Sequence, residues 1–108
     1  MGAMVTIRYD GGKVASEEAA ALASIMRKLV TEAVKVKDVF VYADEALLAI
    51  GVDPIEVFVQ VNAQKTSDPA ALMDKITQTL TVWKQQNNFA HPINLNIIPV
   101  EWHAKFGI

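Results

Sequence analysis

The chain has 108 residues, with 10 Lys and Arg against 12 Asp and Glu for a net charge of −2, two histidines and no cysteine. A chain of this length is one domain able to bury its own core, and the missing thiols exclude disulfides, thiolate catalysis and cysteine-ligated metals. Acidic and basic side chains are interspersed, which leaves no basic footprint for nucleic acid, and the apolar runs fall far short of the ~20 residues that span a membrane.

Met1, Gly2 and Ala3 ahead of Met4 read as a cloning remnant, so the single natural domain is taken as residues 4–108, with a cytoplasmic location as the default. Val5 to Tyr9 alternates Val5, Ile7 and Tyr9 against Thr6 and Arg8, and the turn signal Asp10-Gly11-Gly12 ends this first strand. Ser16 stands at an N-cap position, Glu17 and Glu18 suit the positive end of a helix dipole, and Leu22, Ile25, Met26, Leu29 and Ala33 recur at helical spacing. The first helix is therefore expected over 17–34. Val39 to Tyr42 forms a second, short strand. The connection 44–53 is too long for a tight hairpin and is expected to carry a small strand or helical turn of its own.

Ile55 to Asn62 is the clearest strand, with Ile55, Val57, Val59 and Val61 on one face and Glu56, Phe58, Gln60 and Asn62 on the other. Ser67 or Asp68 caps a second helix with Pro69 in its first turn, and Leu72, Met73, Ile76, Leu80 and Trp83 form its buried stripe. Asn87-Asn88 stops that helix. Ile93 to Ile98 alternates again, and Pro99 is expected to break the ladder ahead of a tail over 101–108.

The second half echoes the first at an offset of 51 residues. Ser16, Glu17, Ala19, Ala20, Ile25 and Leu29 are answered by Ser67, Asp68, Ala70, Ala71, Ile76 and Leu80. Self-similarity of this kind points to tandem repeats of one supersecondary unit. Two β-α-β units thus build an α+β fold, a four-stranded mixed sheet with two helices on one face. The other face presents Thr6, Arg8, Phe40, Tyr42, Glu56, Phe58, Gln60, Asn62, Asn94, Asn96 and Ile98. With Trp102 and Phe106 from the tail, its aromatics make a patch larger than monomers usually leave wet, which points to contact between subunits.

The element order resembles the tautomerase superfamily in its longer, macrophage migration inhibitory factor-like form. The resemblance is carried by Val5-Thr6-Ile7-Arg8-Tyr9, by 46–51 with Pro54, and by Ala104-Lys105-Phe106-Gly107. It implies a homotrimer that binds a small carboxylate or keto acid between subunits, with no cofactor. In that family an exposed amino-terminal proline of lowered pKa shuttles the proton. Val5 stands where the proline would. The resemblance therefore implies an oligomer without the proline-dependent activity, or at most a weak keto-enol isomerase in which Val5, as a free N-terminus, supplies the amine. The binding cations fall on Lys35, Lys37 and Arg8, and the last-strand polar positions fall on Leu95 and Ile97, neither of which polarises a carbonyl.

A monomeric ferredoxin-like interaction module has the same element order and remains the alternative, although it joins its middle strands by a shorter turn. His91 and His103 lack metal-ligand spacing and read as surface histidines. Arg8 and Glu56 share a sheet face and are expected to form a cross-strand or intersubunit ion pair. Asp44-Glu45 reads as a solvated loop, and Trp102 is placed to pack into a neighbouring subunit.

Overall fold

The computed structural model of the protein describes residues 2–108, so Met1 of the expected remnant lies outside the described residues. In chain order the elements are β1 (Ala3–Tyr9), α1 (Ser16–Val34), β2 (Val39–Glu45), β3 (Ile55–Asn62), α2 (Pro69–Gln86) and β4 (Asn94–Val100). The sheet order is β2-β1-β3-β4. β1 and β2 are parallel, as are β3 and β4, while β1 and β3 run antiparallel in the centre. Each helix therefore crosses between two adjacent parallel strands, and the two β-α-β units meet along β1 and β3. A ferredoxin-like sheet is built from a split β-α-β unit, in which another strand intervenes. Here neither unit is split, which rules out that alternative.

Alternation decides which side chains enter the core. Ala3, Val5 and Ile7 of β1 and Ile55, Val57, Val59 and Val61 of β3 are fully buried beneath the helices. They meet Leu22, Met26, Leu29 and Val30 of α1 and Leu72, Ile76 and Leu80 of α2. These helical positions recur every three or four residues, so one stripe of each helix faces the sheet. Met73 and Trp83 are only half-buried at the margin of that stripe.

The ends of the elements differ from expectation in instructive ways. Ser16 is not the N-cap but the first helical residue; the cap is Ala15, whose N–H donates to the Glu18 carboxylate at 3.0 Å. Glu18, at the third helical position, reaches back to the N–H of the cap residue, while no cap side chain accepts from the first-turn N–H groups as Ser16 was expected to. At α2 the cap is Asp68, which accepts from the Ala71 N–H at 3.0 Å, with Pro69 following in the first turn. α1 ends at Lys35, which takes a left-handed conformation (φ 60°) and donates its N–H to the Thr31 carbonyl.

The strands run longer than their alternation suggested. β1 begins at Ala3, which pairs with Val39 and Val61, and β2 continues to Glu45 because Tyr9 gives it a partner in register. Pro99 does not break the ladder. It lies opposite Val61, and the chain resumes hydrogen bonding when the Ala63 N–H donates to the Val100 carbonyl. β4 is an edge strand, where a proline can turn its missing donor outward.

Candidate functional site

On the open face the strand register sets three cross-sheet rows. Asp44, Arg8, Glu56 and Asn94 form the first, Tyr42, Thr6, Phe58 and Asn96 the second, and Phe40, Met4, Gln60 and Ile98 the third. The tail folds over the third row. β4 lies at the edge opposite β2, yet Trp102 and Phe106 reach Phe40 with ring centroids 6.4 and 5.7 Å away. Trp102 thus packs on its own chain.

The connection 46–54 rises beside the first row. It holds no strand or helix, contrary to expectation. It is tied down only at its ends, where the Ala46 N–H donates to the Tyr9 carbonyl and the Asp10 N–H to the Pro54 carbonyl. Between those ties Gly51 takes a left-handed turn (φ 73°). The aliphatic side chains of the segment have little to pack against: Leu47 is fully exposed, and Leu48 and Ile50 are 77 % and 81 % exposed.

Between this arm and the sheet lies a cleft of about 310 Å³. Leu48, Ile50, Val52, Pro54 and Phe58 give it apolar walls, and Arg8 and Glu56 stand on its floor. Directly opposed residues of an antiparallel pair hold their Cβ atoms ~4.5–5.5 Å apart, so both side chains address the same space. The cross-strand form of the expected Arg8–Glu56 ion pair is absent within the chain. The Glu56 carboxylate accepts instead from Asn94 Nδ2 at 2.9 Å and Asn96 Nδ2 at 3.3 Å, and the Asn96 amide also donates to the Val57 carbonyl at 3.2 Å. Among the described residues the contacts between basic and acidic side chains are His91–Glu18 and His103–Glu101, each an ion pair only with the histidine protonated, and Arg8 has no anionic partner.

The remaining site candidates lie elsewhere. Val5 is fully buried in the middle of β1 between Val41 and Val59, on the helix side of the sheet and away from the cleft. Lys35 and Lys37 precede Val39, which pairs with Ala3 at the far end of β1 from Arg8. Five residues of strand at ~3.3 Å each separate the two ends by ~17 Å. Lys37 instead edges a hollow on the outer surface of α1 with Arg27, Lys28 and Thr31. The structure brings Arg8 to a cleft, and it brings neither lysine nor Val5 there.

Leu95 and Ile97 point toward the helices, where they pack on the core. The open face of β4 nonetheless carries polar groups, Asn94 and Asn96, one residue out of step with the positions expected from segment likeness. Alternation in 93–98 by itself places both amides on that face, as the sequence reading has them, because a strand with aliphatic residues facing the helices must turn its amides to the other side.

His91 is not a free surface histidine. Its Nε2 lies 2.9 Å from Glu18 Oε2 and must donate there, since an ionised carboxylate only accepts. Its ring meets Phe89 edge-on at 5.3 Å, and its carbonyl accepts from Lys84 Nζ at 2.6 Å. The Ala15 N–H and then the His91 hydrogen bond hold the Glu18 carboxyl below its usual range. This cluster ties the entry to β4 onto the start of α1, and no sequence spacing announced it. No group of three or more His, Asp or Glu side chains among the described residues is arranged to hold a metal ion.

No protein-family model matches the chain, and no curated protein matches it by sequence. The likeness is in three dimensions. The protein solved as native Ps01740 superposes with a TM-score of 0.66 at 13 % identity, covering 94 % of this chain and 99 % of that one. A 5-carboxymethyl-2-hydroxymuconate delta-isomerase superposes with a TM-score of 0.61 at 13 % identity, covering 98 % of this chain and 89 % of its own. A macrophage migration inhibitory factor-like protein from Entamoeba histolytica reaches 0.49 at 15 % identity. Tandem β-α-β units, the sheet order and near-complete superposition on the isomerase together give this chain the tautomerase/macrophage migration inhibitory factor fold.

Proposed function

We propose that this chain is an oligomeric ligand-binding protein of the tautomerase fold, assembled as a homotrimer, which takes a small carboxylate in the cleft beside Arg8. The observation that carries the proposal is the state of Arg8. Arg8, an exposed residue, lines an apolar-walled cleft opposite a carboxylate already engaged by two amides, and it has no anionic partner among the described residues. An arginine so placed is a donor fork awaiting a planar anion. A cleft of about 310 Å³ sits at the low end of the ~300–1,000 Å³ typical of small-molecule sites, which suits a compact organic acid. The bare aliphatic arm beside it supports the oligomer, since side chains of this size are seldom left wet together.

Weak isomerase activity through a Val5 amine has less support. In the structure the Val5 nitrogen belongs to a central strand, where an amide carries no basic lone pair, and the side chain is sealed beneath the helices. The test is titration calorimetry with small aliphatic carboxylates against the wild-type protein and Arg8→Gln. Binding that falls at least tenfold in the variant, with unchanged thermal unfolding, supports the site. Equal binding by both proteins places the anion elsewhere and refutes it.

A further inference from the structure

The charge of the cleft says more about its ligand than Arg8 does alone. Asp10, Asp53 and Glu56 are among its lining residues together with Arg8, three acidic residues against one basic, with Asp10 Oδ1 accepting from the Gly12 N–H in its own turn. A simple organic anion would match Arg8 but leave the carboxylate of Glu56 unmatched. A simple amine would find carboxylates but would leave the guanidinium unmatched. The arrangement is complementary to a molecule carrying both charges.

Glu56 is prepared for the positive one. Asn94 and Asn96 each donate one amide hydrogen to it, one on each oxygen. An ionised carboxylate has about four lone-pair sites, so two stay open. The amides are neutral, so they fix the orientation of the carboxylate without cancelling its charge. Arg8 lies directly across the strand pair, and the two charged groups therefore approach a ligand from neighbouring points on one floor. Phe58 and the arm residues Leu48, Ile50 and Val52 supply an apolar wall alongside them.

We propose that the cleft recognises a zwitterionic α-amino acid with an apolar side chain, its carboxylate on Arg8, its ammonium on Glu56 and its side chain against Phe58 and the arm. This rests on the assignment of the cleft as a carboxylate site and adds the second charge and the apolar group to it.

The experiment is a calorimetric comparison of three probes with one carbon skeleton: L-leucine, the 2-oxo acid in which a ketone replaces its amine, and the amine that lacks its carboxylate. L-Leucine should bind about tenfold or more tightly than either, the loss expected for one charge-assisted hydrogen bond. Glu56→Gln should weaken L-leucine to the level of the oxo acid while leaving the oxo acid unchanged. Arg8→Gln should weaken both carboxylates and spare the amine. An oxo acid that binds as well as L-leucine overturns the zwitterion and leaves the carboxylate site standing. An amine that binds as well as L-leucine removes the role of Arg8 and overturns both assignments, as does binding by none of the three. Should Glu56→Gln fail to fold, the wild-type comparison decides on its own.

Discussion

The arm over 46–54 makes the most quantitative prediction. Leu47 and Ile50 are fully and 81 % exposed, and nothing in their own chain covers them. Burying a side chain of this size is worth ~1.5–3 kcal/mol, so two of them supply ~3–6 kcal/mol per subunit to an interface. Side-chain ordering and lost rigid-body freedom offset part of that gain in the net affinity, but a comparison of variants cancels most of these terms. Replacing Leu47 and Ile50 by Asp removes the apolar contribution and adds two charges that an interface would have to desolvate. At ~1.4 kcal/mol per tenfold, dissociation constants should rise by ~10²–10⁴. Sedimentation velocity, or size-exclusion chromatography with light scattering across a dilution series, reads this directly. The double variant should run as a folded monomer at concentrations where the wild-type protein is assembled. Because neither side chain packs in the isolated chain, thermal unfolding of the dissociated variant should remain cooperative. A wild-type protein that is monomeric throughout, or a variant that assembles as well as wild type, refutes the role given to the arm.

Other outcomes follow from the caps and the histidine tie. Asp68→Ala should destabilise the protein by ~0.5–2 kcal/mol in urea unfolding, because the Ala71 N–H loses its acceptor, whereas Ser16→Ala should change little, since Ser16 caps nothing. Lys35→Gly should raise stability, because a left-handed conformation costs a residue with a Cβ ~1–2 kcal/mol, partly offset by the greater chain entropy of glycine. Glu18 has a lowered folded-state pKa, so it binds its proton less readily in the folded protein; its contribution is fully present above the ordinary value of 4.5 and is lost as pH falls through the lowered one. The stability gap between wild type and Glu18→Gln should accordingly narrow in thermal melts below that pH, and a gap that is flat with pH would contradict the His91–Glu18–Ala15 tie.

The sequence by itself determined the order of the four strands and two helices, the core face and the presence of two β-α-β units, while how those units pair waited on the strand order. The reason is local: period-two alternation in 55–62 and three-to-four spacing in 22–30 and 72–80 each permit one buried face, and the helix echo shows that the plan is used twice. Even the residues of the open face were legible, since they are what remains when the aliphatic positions turn inward. The site was only partly legible. Arg8 was visible as a cation on the right face, but its separation from Lys35 and Lys37 depends on the parallel register of β1 and β2, which places those lysines at the opposite end of the sheet. Glu56 looked like its salt-bridge partner because the two face each other. Only the tertiary structure, by running β4 parallel beside β3, brings Asn94 and Asn96 within reach of the carboxylate, and Arg8 has no anionic partner among the described residues. The tie between His91 and Glu18 spans 73 residues and joins a loop to a helix start, a meeting that no local spacing encodes. Periodicity reports which side of an element is apolar; which polar groups meet across elements is decided by strand order and register, and the chemistry of this cleft resides there.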